Sequence, residues 1–182
     1  FYAGLRRLEA RLDANAREQA AFLGAVPLRY ADLAIFGAAA LSLLLELAVI
    51  RWQGTVFEFF AFYKNFSLLC CFAGLGIGYA LAGRDRIPLG LTIPLLVGQF
   101  GLMIGLRFGL TPWLSCLRVL PFREQLNMGL PGAANLAQAT ALYFFLSVIF
   151  LLTVLAFIPV GQVCGRVMAG RENLRAYGLN LL

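Results

Sequence analysis

The chain has 182 residues, of which 61% are hydrophobic and 13% charged, with a mean hydropathy of +0.82. An ordinary soluble domain is roughly half apolar and a quarter charged, so a water-facing surface of the usual kind is excluded over much of its length. A net charge of +6 comes from 15 Lys and Arg against 9 Asp and Glu. The arginines cluster beside apolar stretches and no nucleic-acid motif accompanies them, which argues against nucleic acid as a partner.

Residues 1–27 come first. Leu5, Leu8, Leu12, Ala16 and Leu23 fall near one helical face, with Arg6, Arg7, Arg11, Asp13, Arg17 and Glu18 on the rest and Pro27 ending the pattern. This predicts an amphipathic cytoplasmic or interfacial helix. It either lies on anionic lipid or packs on its own protein, since Glu9, Asp13 and Glu18 dilute its positive face.

A membrane span needs about 20 mainly apolar residues to cross roughly 30 Å of hydrocarbon. Four stretches meet that need within residues 28–165, at about Asp32 to Ile50, Val56 to Ala82, Pro88 to Arg107 and Ala139 to Val163. The expected fold class is therefore all-α, a polytopic membrane helix bundle of about four transmembrane helices plus the N-terminal amphipathic helix. No signal-peptide pattern precedes the first span. Arg6, Arg7, Arg11, Arg17, Arg29, Arg84, Arg86, Arg166, Arg171 and Arg175 fall on one side, against Arg51, Lys64, Arg107, Arg118 and Arg123 on the other. Positive residues resist translocation, so both ends are expected on the cytoplasmic side, and the membrane expected is a bacterial inner membrane.

Across the end of the first span and the start of the second runs "LLELAVIRWQGTVFEFFAFYKNFSLL", which brings Glu46, Arg51, Glu58 and Lys64 into an apolar neighbourhood. With a chain reversal near Gln53 and Gly54, antiparallel helices would set Glu46 opposite Lys64, with Arg51 and Glu58 pairing nearer the turn. Intramembrane charges pair or face a wet cavity. Two readings stay open: a polar pocket or ion path with Tyr63, Asn65 and Gln99, or a buried ion pair that sets helix register.

The glycines of "CCFAGLGIGYALAGRDR" match only half of a nucleotide-binding G-x-G-x-x-G and follow no strand. Gly74, Gly78 and Ala82 at four-residue spacing are instead expected to let helices approach closely, as are Gly98, Gly101 and Gly105 in the third span. Residues 108–138, with Pro112, Pro121 and Pro131, form an outer loop that either binds a partner or covers the helix ends. Four cysteines without a CxxC, no histidine and no spaced acid pair leave no cofactor, metal or catalytic set to name.

The runs "LLLELAVIRW", "FEFFAFYKNFSLLCCFAGLGIGYALAG" and "PVGQVCGRVMAGRENLRAYGLNLL" together resemble the membrane portion of spermidine synthase-like membrane proteins. By that resemblance Glu46 and Arg51 match the acidic and basic pair after the family's first span, while Tyr177 and Asn180 match the opening of its next helix. Residues 166–182 are then a cytoplasmic segment leading into a further helix, and the chain is expected to be part of something longer. The resemblance implies a domain that anchors or serves a transferase domain, itself absent from these residues. Two further classes stay open: a structural subunit packing against partner chains, and a small transporter using Glu46 and Lys64. Membrane lipid is a partner under all three.

Overall fold

The computed structural model describes residues 2–57, 60–61, 64–107 and 136–169. Among these there are helices and no strands: α1 (Tyr2–Gly24), α2 (Leu28–Val56), α3 (Lys64–Ala80), α4 (Thr92–Arg107) and α5 (Leu136–Met168), with a 3-10 turn at Leu89–Leu91 before α4. The outer loop expected at 108–138 falls largely outside the described residues, as do Glu58, Tyr63, Arg171, Arg175, Tyr177 and Asn180.

Two stretches, Arg29–Val56 and Tyr143–Met168, are long and apolar enough to cross a membrane, and Leu89–Gly105 is a shorter apolar helix. At 1.5 Å per residue, the 29 residues of α2 reach roughly 44 Å and the 33 of α5 roughly 50 Å. The second stretch differs from expectation in where its helix starts. The sequence predicts a span from Val56, but α2 itself runs to Val56 and stops at Phe57, whose extended backbone (φ −129°, ψ 126°) sets its N–H on the Gln53 carbonyl. Gly54 lies inside α2 rather than in a turn. The returning chain passes beside it, with Ala61 Cα 3.4 Å from where a Cβ would stand, an ordinary van der Waals contact.

α5 is the axis. It packs most extensively on α3, and also on α4, α2 and α1. The α3 contact is tight because both helices present glycine. A Cβ on Gly74 would stand 2.5 Å from the Val154 carbonyl oxygen, one on Gly78 would strike the Ile158 carbonyl, and one on Gly161 would strike the Leu75 carbonyl. Backbone therefore meets backbone, the arrangement small residues allow between helices.

Each remaining helix buries one stripe. In α4 the buried positions are Thr92, Leu96, Gln99 and Met103, and in α2 they include Ala31, Ile35, Ala38, Glu46, Val49, Gln53 and Val56. Steps of three and four residues keep a stripe on one helical face. These stripes build three hydrophobic layers along the bundle. One end holds Val56, Phe57, Phe60, Met103, Phe145 and Ile149. The middle holds Val49, Cys71, Leu96, Ala156 and Phe157, and the other end joins Ile35 and Val167 with Leu23 and Met168.

α1 packs on its own protein. Ala16 and Ala20 are buried, the Ile87 N–H donates to the Ala16 carbonyl at 3.0 Å, and the Leu89 N–H donates to Gln19 Oε1 at 3.1 Å. Of the two expectations for this helix, that contact corresponds to the second.

Candidate functional site

Between the first and middle hydrophobic layers, three helices each contribute one polar residue. Gln53 lies between Val49 and Val56 of α2, Gln99 between Leu96 and Met103 of α4, and Thr153 between Ile149 and Ala156 of α5. All three are 0% exposed. Gln53 Nε2 donates to Thr153 Oγ1 at 3.2 Å and Gln99 Nε2 donates to the same oxygen at 3.0 Å. Thr153 Oγ1 in turn donates to the Ile149 carbonyl at 2.8 Å, one turn back along α5. The hydroxyl is thereby fully used: it has one proton to give and two lone pairs to fill.

The amide oxygens are not satisfied. Oε1 of Gln53 and Oε1 of Gln99 are buried without a hydrogen-bond partner, and so is the Ser67 hydroxyl on α3. Burying an unsatisfied polar group costs about 1–3 kcal/mol. The triad thus couples α2, α4 and α5 at one level while holding unspent accepting capacity. Gln99 belongs to the polar set expected from sequence. The sequence places Gln53 near a turn and Thr153 within the fourth apolar span, because neither carries charge and only the packing of three helices brings them together.

Of the four charged residues expected to form an intramembrane cluster, Glu46, Arg51 and Lys64 are described and Glu58 lies outside the described residues. Glu46 is 5% exposed on the buried stripe of α2, within electrostatic range of the Cys71 thiol on α3. Lys64 and Arg51 are exposed, and Asn65 is exposed beside Lys64. Among the described residues Arg86 pairs with Asp13 at 3.2 Å and Arg166 with Asp85 at 3.7 Å, and no ion pair joins Glu46 to Lys64. The reason lies in the helix start. Lys64 is the first residue of α3 rather than two turns inside a helix, which leaves it seven residues, or roughly 10 Å, from Cys71 and the level of Glu46.

The glycines expected to pack divide in a similar way. Gly74 and Gly78 stand against α5, where Ala82 also meets the Cβ position of Gly165 at 2.6 Å. Among the described residues Gly98 and Gly101 have nothing within 4 Å of a Cβ position, so their face of α4 points away from the described helices, while Gly105 is partly buried.

At the other end of the bundle, Gln162 ties the α3–α4 connection to α5. Its Nε2 lies 3.4 Å from both the Leu81 and Arg86 carbonyls. Arg166 Nη1 reaches the Ala82 carbonyl at 3.5 Å. A cleft of about 1020 Å³ opens here between α1, this connection and α5. Among the described residues, no group of three or more His, Cys, Asp or Glu is placed to hold a metal ion. Set against known proteins, the chain matches no family model, no curated protein and no solved structure.

Proposed function

We propose that this chain is an integral membrane bundle of four spans, formed by α2, α3, α4 and α5, with α1 and the Arg84–Arg86 connection on the cytoplasmic side. We further propose that it serves as the membrane domain of a spermidine synthase-like protein, anchoring or serving a transferase domain carried outside these residues. One observation carries the membrane reading: the bundle is inverted relative to a soluble protein. Leu33, Leu43, Leu44 and Leu47 of α2, Leu69 and Phe72 of α3, Ile93 and Val97 of α4, and Leu151 and Leu155 of α5 are all exposed, while Gln53, Gln99 and Thr153 are enclosed. Exposed apolar area on this scale is a liability in water and an asset in lipid. The family reading rests on the sequence resemblance.

Alkaline carbonate extraction and reporter fusions test the topology. The chain is expected to stay in the membrane pellet, with a reporter after Gly83 facing the cytoplasm and one at Ala61 facing the opposite side. Release by carbonate, or both reporters on one side, refutes four spans. The anchoring role predicts a native polypeptide well above 19.9 kDa, detected with an antibody to α1. A native chain of 19.9 kDa refutes it. The open glycine face of α4 at Gly98 and Gly101 favours a second reading, a subunit that packs against another helix. Isolation in mild detergent would then recover it with a partner, and recovery of the chain alone counts against this reading.

A further inference from the structure

The cleft beside Gln162 has a built interior. Its floor is apolar, from Leu12, Leu81, Pro88, Leu91 and Ile158, and its rim carries Glu9, Asp13, Arg84, Asp85 and Arg86. Three of the rim charges are engaged within the protein, Asp13 and Arg86 by each other and Asp85 by Arg166. Glu9 and Arg84 are exposed and enter no ion pair among the described residues. That leaves one acid and one base on the same rim. Gln162 supplies the independent sign of a ligand: it is 3% exposed, lines the cleft, and its Oε1 is buried without a hydrogen-bond partner. The cleft volume of about 1020 Å³ is at the upper end of small-molecule sites, which run roughly 300–1,000 Å³.

The surface changes character at this level. Ile77 near the end of α3 and Ile93 and Val97 at the start of α4 are exposed and apolar, whereas Gly83, Arg84, Asp85 and Arg86 between them are exposed and polar or charged. On the membrane reading proposed above, on which this inference rests, the cleft therefore sits at the lipid–water boundary.

We infer that the cleft between α1, the α3–α4 connection and α5 binds a phospholipid whose head group carries both a phosphate and a primary amine. Arg84 takes the phosphate, since a guanidinium matches phosphate oxygens with paired N–H donors. Glu9 takes the ammonium, the unfilled Oε1 of Gln162 accepts one of its protons, and the apolar floor receives the glycerol and upper acyl chain. A purely anionic head group would leave Glu9 facing a like charge, and a purely cationic one would leave Arg84 so.

The test uses the whole chain purified in detergent, delipidated and re-exposed to phosphatidylethanolamine or phosphatidylglycerol, with bound lipid counted by native mass spectrometry. Phosphatidylethanolamine is expected to be retained in preference to phosphatidylglycerol. Glu9→Gln is expected to abolish that preference, and Arg84→Gln to weaken retention of both lipids about fivefold, the scale of one exposed charge contact. Both positions are exposed, so neither change threatens the fold, and circular dichroism of each variant checks this. Equal retention of the two lipids by the unaltered chain, or unchanged retention by the double variant E9Q/R84Q, overturns the inference. Free phosphoethanolamine binding as tightly as the lipid overturns the assignment to lipid. Carbonate extraction of the same preparations separates the levels: a membrane-integrated chain without lipid preference removes only this site, and a carbonate-soluble chain removes the membrane reading with it.

Discussion

Replacing Gly78 with alanine adds one methyl group at the tightest point between α3 and α5. Its Cβ would stand 2.7 Å from Gly161 Cα and 2.8 Å from the Gln162 nitrogen, and closer still to the Ile158 carbonyl. Ordinary contact begins at 3.4 Å, and every one of these neighbours is backbone, so none can rotate aside. The helices must part, and a gap of 0.5–1 Å forfeits about a quarter to a half of each dispersion contact along it. Overpacking of this kind costs about 1–3 kcal/mol. Gly76 on the same helix supplies the control, because a Cβ there meets nothing within 4 Å. Both substitutions gain the same helix propensity, about 0.8–1.0 kcal/mol in favour of alanine, which cancels in the comparison. Gly78→Ala is therefore expected to be about 1–3 kcal/mol less stable than Gly76→Ala. Helix content followed by circular dichroism through a denaturing-detergent titration measures the difference. Equal stability of the two variants would refute the close approach, and with it the role of glycine in setting this interface.

Three further outcomes follow from the same geometry. Thr153→Val removes the oxygen that accepts from Gln53 and Gln99 and should cost at least about 1–3 kcal/mol, whereas combining it with Gln53→Leu and Gln99→Leu should recover most of that loss. Failure of the triple variant to exceed the single one in the same titration would show that the triad is not the source. Glu46→Gln and Lys64→Met should change stability additively, within about 0.5 kcal/mol, because α3 begins at Lys64 and the two side chains are not joined. A double variant that restores what either single change loses would reinstate the pair. Ala16→Leu should lift α1 off the α3–α4 connection, since Ala16 is buried where its carbonyl receives the Ile87 N–H, and limited proteolysis near Ala25 should accelerate. Unchanged cleavage would place α1 elsewhere.

Asp13→Asn, by contrast, should matter little. Its pair with Arg86 is about half exposed on both sides, at 46% and 55%, and such pairs contribute about 0–1 kcal/mol.

The helices were legible because apolar residues in long runs specify where a chain can bury or immerse itself whatever it packs against. The Leu-rich run of α2 and the run from about Ala139 to Val163 within α5 need no partner to be read, and the amphipathic spacing of residues 1–27 likewise marks α1. The polar site was legible only in part. Charge draws the eye in an apolar chain, so Glu46, Arg51, Glu58 and Lys64 stood out, yet the contacts that link α2, α4 and α5 are made by uncharged Gln53, Gln99 and Thr153. Nothing in their local spacing relates residues that are 54 and 100 positions apart along the chain.

By itself, the order of residues determined that this protein is helical, where its longest apolar helices run, and that small residues line one face of α3. Tertiary structure alone decided that α2 continues through Gly54, that Gly74 and Gly78 meet α5 while Gly98 and Gly101 face away, and that the enclosed polar contacts joining α2, α4 and α5 are made by two amides and a hydroxyl. The reason is one of range. Helix formation and hydropathy are summed over near neighbours in the chain, whereas depth, partner and exposure depend on where each helix starts and which face it turns toward α5.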